Sequence, residues 1–598
     1  MENKAIQGGE FLIRDTKIQD IFVPEEFTEE QKMIAQSCHD FIKSEVHPVI
    51  NRIDDHEEGL MEKVLKKAGE MGLLGVSIPE EYGGFGQDFV TSMMASDVMG
   101  AGLSFSVAYS AHTGIGSLPI MYYGNEEQKQ KYLPKLATGE FLGAYALTEP
   151  GAGSDANSGS TKAVLSEDGQ YWILNGQKMW ITNSGFADVF TVFAKIDEDR
   201  VLSAFIVEKD TPGFTLGAEE NKMGIRGSST RQLFFNDAKI PVGNLLGKRG
   251  EGFRIALNIL NLGRIKLGAN VIGASKNAIN LSVGYANERK QFRSLLSTFP
   301  AIKYKLAEQV IRAFANESTV YRISKNIENA VKMYIEQGIE KGQANVDAQR
   351  NFAIEAALIK VYGSEMLDYV VDEGVQIHGG MGFSAETDIE TMYRDSRINR
   401  IFEGTNEINR MVVSDTLIKK GMKKEIDLLP VAEEVWNEYK QLEGKPQLSS
   451  DFHERNTQYV KNFKKATLLM TKYAIEKLGR KISKEQEVLF NLADMMMQLF
   501  VAESTQLRIE KMEKILGMDI SIHKDILNTL MYESAEIIRK AAADEIMNIA
   551  DDADKSALRK AIDHYLYIDS FDLMESRRRI ADMLIENNQW VFSNYYIF

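Results

Sequence analysis

A section of strand-type sequence, from about Tyr145 to Leu246, interrupts a chain that is otherwise patterned as helices, and this order constrains the fold most. Within the section, short runs of β-branched and aromatic residues alternate with turn signals. The run KAVLSEDGQYWIL predicts a hairpin with Asp168-Gly169 at its turn, and Asn175-Gly176 is a second turn signal. The pattern therefore predicts one β domain between helical sections.

Helical patterning lies on both sides of this β section. Thr28 and Gln31 form a capping-box pattern ahead of KMIAQSCHDFIKSEV, which predicts a first helix. From Gly252 to about Lys420 the pattern is helical again, with Pro300 as the one proline in it. The composition then changes at KKGMKKEIDLLP and EGKPQLSS, which we interpret as a linker before a last helical section.

The predicted fold class is α+β, mostly α, in four domains. These are an N-terminal helical domain (residues 1–144), a middle β domain (145–251), a helical bundle (252–425) and an extra C-terminal helical domain (426–598). A length of 598 residues fits that number at roughly 150 residues per domain.

Charge and cysteine content exclude several classes of function. The net charge of −16 disfavours binding to nucleic acid. Cys38 is the only cysteine, which excludes internal disulfides and leaves inert core packing or chemistry as its alternatives. No metal site is predicted, because the histidines are never paired at ligand spacing. A secretory signal pattern and apolar runs of about 20 residues are missing, so we expect a cytoplasmic protein.

Two local motifs admit more than one interpretation. Gly151-Ala-Gly153 suggests a dinucleotide loop, but it leads into turn and strand rather than a helix, which excludes a nicotinamide-type Rossmann site. The run Arg577-Arg578-Arg579 is compatible with contact to acidic lipid headgroups, and is more typical of a solvated or salt-bridged helix face.

Six segments, in order along the chain, resemble signatures of the acyl-CoA dehydrogenase family. The resemblance extends from roughly Thr28 to Lys420, and the helical section beyond it resembles the long- and very-long-chain branch. The segments are YALTEPGAGSD (145–155), KMWITNSG (178–185), MGIRGSST (223–230), YANERKQF (285–292), QIHGGMGF (376–383) and YRDSRINRIFEGTNEI (393–408).

This resemblance implies an FAD-dependent enzyme that converts a fatty acyl-CoA to trans-2-enoyl-CoA in β-oxidation. It also implies a medium- to long-chain substrate, electron-transfer flavoprotein as acceptor and a homodimer. Because no amino acid accepts a hydride well, a flavin must carry that half of the reaction. The alternatives are an acyl-CoA oxidase that uses O2 and a catalytically silent scaffold, and the intact EGT, TEP and WIT segments argue against the scaffold.

The resemblance places the catalytic base at Glu403, in IFEGTNE. Spacing alone favours an ordinary helix-terminal glutamate in a salt bridge with Arg397 or Arg400. One branch of the family has its base just before the arginine of the segment that reads LNLGRI here, where this chain has Gly263. Glycine cannot take a proton, so the departure favours Glu403, and burial beside flavin and substrate would raise its pKa.

The remaining site residues are carried over by their positions in the motifs. The residues implied in FAD binding are Tyr145, Leu147, Thr148, Gly153, Ser154, Trp180, Thr182, Arg289, Gln291, Phe292, Gln376, Gly379, Gly380, Thr405 and Glu407. Those implied in substrate binding are Ser154, Asn261, Arg264 and Gly404. The groups at 289–292 and 376–380 are implied to reach the FAD of a neighbouring subunit. Without its motif, Trp180 fits strand core equally well.

Three further features concern specificity and assembly. Arg293 and Pro300 stand where the family usually has glycine and often glutamine, so FAD contacts in that loop are expected to differ. Val107 and Ala111 are small where medium-chain relatives carry larger polar residues, which implies a deeper acyl pocket. A methylene is worth only about 0.8 kcal/mol of burial, so broad selectivity is expected. The C-terminal domain is implied either to stabilise the dimer or to help the protein rest on a membrane surface.

Overall fold

A β-sheet unit separates two helical sections in the computed structural model, which describes residues 6–442 and 444–593. Thr28 caps the first helix as predicted, since its hydroxyl accepts from the Gln31 amide at 3.2 Å while Gln31 Oε1 accepts from the Thr28 amide at 3.0 Å. The helices before the sheet are α1 (Glu29–Phe41), α2 (Ile50–Asp54), α3 (Leu60–Glu70), α4 (Phe89–Met99), α5 (Ser104–Ala111), α6 (Leu118–Tyr123) and α7 (Glu126–Thr138).

The middle section forms a twisted sheet of eight strands. Its strands are β1 (Gly143–Ala146), β2 (Lys162–Leu165), β3 (Tyr171–Thr182), β4 (Val189–Ile196), β5 (Ser203–Glu208), β6 (Phe214–Glu219), β7 (Thr230–Pro241) and β8 (Leu245–Leu246). The order is β6-β7-β3-β2-β4-β5-β8, and β1 pairs parallel with β4. The predicted hairpin is confirmed, because β2 and β3 pair antiparallel and Gly169 at the turn has φ 69°.

A helical bundle follows the sheet. Its elements are α8 (Gly252–Glu288), β9 (Lys290–Gln291), β10 (Ser294–Leu295), α9 (Pro300–Glu336), α10 (Lys341–Asn351), α11 (Ala353–His378), α12 (Asp388–Ser396) and α13 (Asn406–Met422). Helices α8 and α11 run parallel at close distance, since a Cβ at Gly268 would lie 2.1 Å from Ile359 Cγ2. At their C-terminal ends the rings of Tyr285 and His378 stack with centroids 4.3 Å apart.

The last section is helical and shares its core with the bundle. Its helices are α14 (Leu428–Glu438), α15 (Phe452–Leu478), α16 (Gln486–Lys514), α17 (Ser521–Ile549), α18 (Asp552–Tyr565) and α19 (Leu573–Asn587). The linker interpretation is corrected in part: the end of KKGMKKEIDLLP already belongs to α14, which buries Leu428, Ala432 and Val435 in this common core, whereas residues 444–450 of EGKPQLSS are not helical. The α+β, mostly α fold class is confirmed, with helices before and after one sheet.

Two side-chain alternatives from the sequence are settled by packing. Cys38 is fully buried in the core, and burial raises the pKa of its thiol to about 12, which is the inert alternative. The three arginines on α19 form ion pairs rather than a free basic patch: Arg577 with Glu308, Arg578 with Glu575 and Arg579 with Asp525. Among the described residues no helix combines the length and apolarity needed to cross a bilayer.

Candidate active site

Two consecutive residues in the left-handed region, Glu403 and Gly404, form the turn that leads into α13. Their φ angles are 58° and 81°. The left-handed conformation costs a non-glycine residue about 1–3 kcal/mol and persists only where its surroundings enforce it. Thr405 ends the turn as the N-cap of α13, with its hydroxyl accepting from the Ile408 amide at 3.2 Å. The turn and the helix cap therefore follow each other directly in the chain.

Three buried side chains hold this turn by its carbonyl oxygens. Arg264 Nε of α8 donates to the Glu403 carbonyl at 3.1 Å. Lys360 Nζ of α11 and Asn409 Nδ2 of α13 each donate to the Gly404 carbonyl at 2.8 Å. Donors from three helices therefore enforce a backbone conformation that the chain would otherwise avoid.

The carboxyl group of Glu403 lies directly against Gly263 of α8. A Cβ at that position would lie 2.7 Å from Glu403 Oε2, and Oε2 is buried without a hydrogen-bond partner in the described structure. Burial raises the pKa of Glu403 to about 7, although the positive charges of Arg264 and Lys360 oppose the rise. The salt-bridge interpretation is wrong, because Arg400 pairs with Asp368 at 2.8 Å and Glu403 forms no ion pair within the described residues.

The end of β1 faces the same point. Burial raises the pKa of Tyr145, and the negative charge of Glu403 raises it further. The Tyr145 hydroxyl has no hydrogen-bond partner in the described structure. Its ring packs edge-on against Phe193 of β4, with centroids 5.0 Å apart. Tyr145 and Leu147 share an apolar cluster with Leu262 of α8, the residue before Gly263. The end of β1 and the turn at Glu403 therefore both pack against the same part of α8, at Leu262 and Gly263.

Trp180 lies at an irregularity of the sheet rather than in its core. Its φ is 60°, and the β3–β7 register shifts between Lys178 and Ile181. The indole is 54% exposed, so the strand-core interpretation is wrong. The ladder resumes at Ile181 opposite Arg231, and Thr182 pairs with Thr230. A β-bulge redirects a side chain in this way, and here it presents a flat aromatic surface outward.

A buried ion pair that sequence reasoning missed anchors the glycine-rich loop after β1. Lys178 Nζ lies 2.6 Å from Glu149 Oε1 and donates to the Leu147 carbonyl at 3.1 Å. Although burial opposes the change, the Lys178 ammonium lowers the pKa of the Glu149 carboxyl to about 2. Both residues stand inside recognised motifs, but they are 29 positions apart and only the sheet brings them together.

The loop that this pair holds is open on its outer side. A Cβ at Gly151 or Gly153 would meet nothing within 4 Å, and Ser154 is exposed beside them. The Met179 amide donates to the Thr148 carbonyl at 2.9 Å, which ties the loop to β3 next to Trp180. The backbone and hydroxyl groups of this loop are therefore accessible to a ligand beside the exposed indole.

The proposed substrate residues of α8 form one group with the turn. Arg264 Nη1 donates to Asn261 Oδ1 at 2.9 Å, and both side chains are buried. Arg264 Nη2 would lie 3.4 Å from a Cβ at Gly404. Ser154 belongs instead to the exposed loop, and Glu407 is exposed on the first turn of α13.

A second group of predicted cofactor residues lies far from Glu403 within one chain. They are exposed at the C-terminal ends of α8 and α11, at Arg289, Gln291, Phe292, Gln376, Gly379 and Gly380. The stacked rings of Tyr285 and His378 bring these two ends together. At 1.5 Å per residue, Tyr285 is about 33 Å along α8 from Gly263. One chain therefore does not bring this group to the turn at Glu403.

The residues around the turn fit a flavin and give no sign of a metal. Tyr145 Oη and Glu403 Oε2 are buried polar atoms without partners in the described structure, and the glycine-rich loop after Tyr145 is open and tied to β3 next to the exposed Trp180 indole. Buried polar atoms in native folds nearly always have hydrogen-bond partners, so a bound ligand is expected to supply the missing ones here. The described residues contain no group of three or more candidate metal ligands.

Comparison with protein families matches most of the chain. Four family models match, described as the acyl-CoA dehydrogenase N-terminal domain (28–140), middle domain (144–238), C-terminal domain (250–418) and a further acyl-CoA dehydrogenase C-terminal domain (462–561). The extra helical section after α14 is therefore itself a domain found in this family.

Two bacterial relatives match nearly the full length of the chain, and a mitochondrial relative matches a shorter part of it. A probable acyl-CoA dehydrogenase of Bacillus subtilis (strain 168) is 46% identical over 559 residues, which is 93% of this chain and 94% of the relative. The very long-chain specific acyl-CoA dehydrogenase of Rattus norvegicus mitochondria is 39% identical over 391 residues, 62% of this chain and 57% of the relative. The crystal structure of an acyl-CoA dehydrogenase complexed with FAD from Bacillus anthracis superposes with a TM-score of 0.95 at 44% identity, covering 98% of this chain and 100% of that chain. The chain belongs to the acyl-CoA dehydrogenase family, as an FAD-dependent oxidoreductase with an additional C-terminal helical domain.

Proposed function

We propose that this protein oxidises fatty acyl-CoA thioesters to trans-2-enoyl-CoA in β-oxidation, with Glu403 as the base that removes the α-proton. One observation carries the proposal: the buried Oε2 of Glu403 has no hydrogen-bond partner and lies against Gly263, beside the Tyr145 hydroxyl. A carboxylate left without a partner in an apolar site is held ready for a ligand rather than used for stability.

The protonation behaviour of Glu403 suits this role. The α-hydrogens of a thioester are weakly acidic, so an effective base needs a pKa well above that of an ordinary carboxylate. Burial provides such a pKa, of about 7. The Glu403 amide donates no hydrogen bond within the described residues, which leaves it free to hold the thioester carbonyl as negative charge develops there.

FAD, when bound, supplies the acceptor for the β-hydrogen, which leaves the substrate as hydride. In this proposal the chain's own contribution is to bind and orient the ring with Tyr145, Leu147, Thr148, Gly153, Ser154, Trp180, Thr182, Thr405 and Glu407. Asn261, Arg264, Gly404 and Ser154 would bind the thioester. Exclusion of water by the buried surroundings strengthens every charge interaction at the turn.

The proposal includes a homodimer. Arg289, Gln291 and Phe292, together with Gln376, Gly379 and Gly380, would bind the FAD of the partner subunit. The separation of about 33 Å along α8 supports this, because these residues cannot reach the flavin beside their own Glu403. Phe292 is 90% exposed in the single chain, which is costly for a phenyl ring unless a partner or ligand covers it.

The finer assignment is a medium- to long-chain enzyme of the very-long-chain branch. Small side chains at Val107 and Ala111 support a deep acyl pocket, and the similarity to the rat enzyme supports the branch. We further propose a cytoplasmic enzyme, with electron-transfer flavoprotein as its acceptor. Rest on a membrane surface is a weaker component, because the arginines of α19 are used in ion pairs.

Anaerobic titration of the purified holoenzyme with acyl-CoAs of graded length tests the proposal. The flavin absorption band should bleach, most completely with chains of medium to long length. Glu403→Gln should bind FAD with unchanged content but fail to bleach. Glu434→Gln, an exposed glutamate on α14, is the matched control and should behave as the wild type. Bleaching by Glu403→Gln at the wild-type rate would refute the assigned base.

Two other functions give different results in the same experiment. An acyl-CoA oxidase would also bleach, but air would reoxidise its reduced flavin rapidly. A catalytically silent scaffold would bind acyl-CoA or FAD without any bleaching, whatever the chain length.

A further inference from the structure

A fully buried lysine, Lys360, lies behind the turn at Glu403 and Gly404, which is called the catalytic turn below because it contains the proposed base. It projects from α11 and donates to the Gly404 carbonyl at 2.8 Å and to Asn406 Oδ1 at 2.7 Å. A buried ammonium group is costly to desolvate, so its retention needs a compensating role. Lys360 lies outside the six family-like motifs of the chain.

The backbone next to Lys360 needs to be held. Glu403 and Gly404 are both left-handed, and a turn of this kind relaxes when its carbonyl contacts are removed. Asn409 also donates to the Gly404 carbonyl, but it belongs to α13 itself and would move with the turn. Lys360 contacts that carbonyl from a different helix and is the one cation that does so in the described structure.

We propose that Lys360 is a positioning residue for Glu403, which holds the catalytic turn by the Gly404 carbonyl and keeps a positive charge behind the Glu403 carboxylate. The inference rests on the proposed role of Glu403 as base. It adds a second element to that role, because the lysine determines both where the carboxylate lies and how readily it loses its proton.

The position of Lys360 is itself fixed from the far side. Asn406, its second acceptor, donates to Glu365 Oε1 at 3.0 Å. Glu365 pairs with Arg410 at 2.8 Å, and Arg410 pairs with Asp494 of α16 at 2.7 Å. A continuous series of polar contacts therefore connects the catalytic turn to the C-terminal helical domain and limits the movement of the lysine.

The charged groups around the pair determine the sign of the effect. Arg264 from α8, Lys360 from α11 and Tyr145 from β1 face Glu403. Glu403, Arg264, Glu365 and Glu407 face Lys360, and burial lowers the pKa of Lys360 to about 7 although Glu403 opposes this. Since a nearby positive charge favours the ionised carboxylate, removal of the lysine charge raises the pKa of Glu403.

Three substitutions separate the two parts of the role. Lys360→Met removes both the donor and the charge, and Lys360→Gln keeps a donor for Gly404 without the charge. Lys360→Arg keeps both. The measurement is the rate of anaerobic flavin bleaching by a saturating acyl-CoA, in the holoenzyme, as a function of pH.

We expect the midpoint of the pH profile to rise by about one unit in Lys360→Met and Lys360→Gln. At pH 7 that shift reduces the rate about fivefold, and Lys360→Met should lose more because its turn is also released. Lys360→Arg should restore the wild-type midpoint. Unchanged midpoints in the Met and Gln variants, with only FAD content or thermal stability altered, would overturn the proposal and leave a structural lysine.

Failure of this inference is distinguishable from failure of the proposed function. If Glu403→Gln abolishes bleaching while the Lys360 variants keep the wild-type midpoint, the base assignment stands and the lysine inference falls. If Glu403→Gln bleaches normally, the proposed function falls first. Where Lys360→Met does not fold, Lys360→Gln and Lys360→Arg still give different expected midpoints, one raised and the other equal to that of the wild type.

Discussion

The carboxyl group of Glu403 occupies the space that any side chain at position 263 would fill: a Cβ on Gly263 would lie 2.7 Å from Glu403 Oε2 and 2.9 Å from Glu403 Cδ. The relationship explains why glycine is needed in the middle of a long buried helix, where it costs about 1 kcal/mol relative to alanine. It also makes the fit between α8 and the turn at Glu403 directly testable.

Gly263→Ala should displace the Glu403 carboxylate without unfolding the protein. The atoms in conflict are the far end of a flexible side chain, so the glutamate can move, while the alanine favours the helix. We expect flavin bleaching to slow by about 10- to 100-fold, as a misplacement of about 1 Å can produce, with a melting temperature equal to or above that of the wild type.

Gly284→Ala is the matched control, because a Cβ at this position on the same helix would meet nothing within 4 Å. It should keep the wild-type rate and gain roughly 0.5–1 kcal/mol of stability. Equal bleaching rates in Gly263→Ala and Gly284→Ala would show that the position of the Glu403 carboxylate does not depend on the absence of a side chain at Gly263.

The buried carboxylate of Glu403 should destabilise the folded protein at high pH. Its folded-state pKa of about 7 lies above the ordinary glutamate pKa of 4.5, so the folded protein holds this proton more tightly than the unfolded chain. The corresponding stability is fully present below pH 4.5 and is lost as pH rises through about 7.

Glu403→Gln removes this titration and should stabilise the holoenzyme at pH 8 by about 2–3 kcal/mol, with little effect at pH 4.5. Thermal unfolding of both proteins at several pH values measures the difference. A stability difference that does not change between those pH values would contradict a raised pKa in the folded state.

Lys178→Met should lower both stability and FAD content, although Lys178 is not one of the residues expected to contact the flavin. The substitution leaves the Glu149 carboxylate buried without its cation, which costs about 3–5 kcal/mol, and releases the Leu147 carbonyl. We expect a lower melting temperature and a reduced FAD-to-protein ratio after purification.

Lys162→Met provides the comparison, since its ion pair with Glu198 is 52% and 93% exposed on the same sheet. An exposed pair contributes at most about 1 kcal/mol, so FAD content should not change. The double variant Lys178→Met/Glu149→Met should recover part of the lost stability, because the uncompensated charge is gone. If it is no more stable than Lys178→Met alone, the ion pair is not the cause.

Local signals in the sequence predict the fold class, whereas contacts between distant segments escape prediction. The cap at Thr28 and the turn at Asp168-Gly169 depend on a few adjacent residues, and both form as expected. Helix α14 begins inside the stretch KKGMKKEIDLLP, whose composition resembles a linker. The burial of this helix depends on packing against α15. Helical period carries no information about such a partner.

The candidate site divides in the same way. A motif identifies Glu403, but the conformation of its turn depends on Arg264 and Lys360, which lie on other helices at positions that no local sequence pattern connects to it. The pair of Glu149 and Lys178 likewise requires the register of the sheet. Side chains that support a functional residue are therefore the part of a site least accessible to sequence reasoning, since each contact combines two separate elements.

Arg293 departs from the family pattern, and we expect its backbone conformation to lower the stability of the folded protein. It stands where the family usually has glycine, and its φ of 66° lies in the left-handed region that glycine adopts freely. Arg293→Gly should therefore stabilise the protein by about 1 kcal/mol, observed as a rise in the thermal unfolding midpoint. Arg289→Gly is the control, because φ at Arg289 is −75° and no strain is released there. That variant should lose stability through the added freedom of the unfolded chain. If both glycine variants lower the midpoint equally, Arg293 is held by contacts that outweigh its strained conformation.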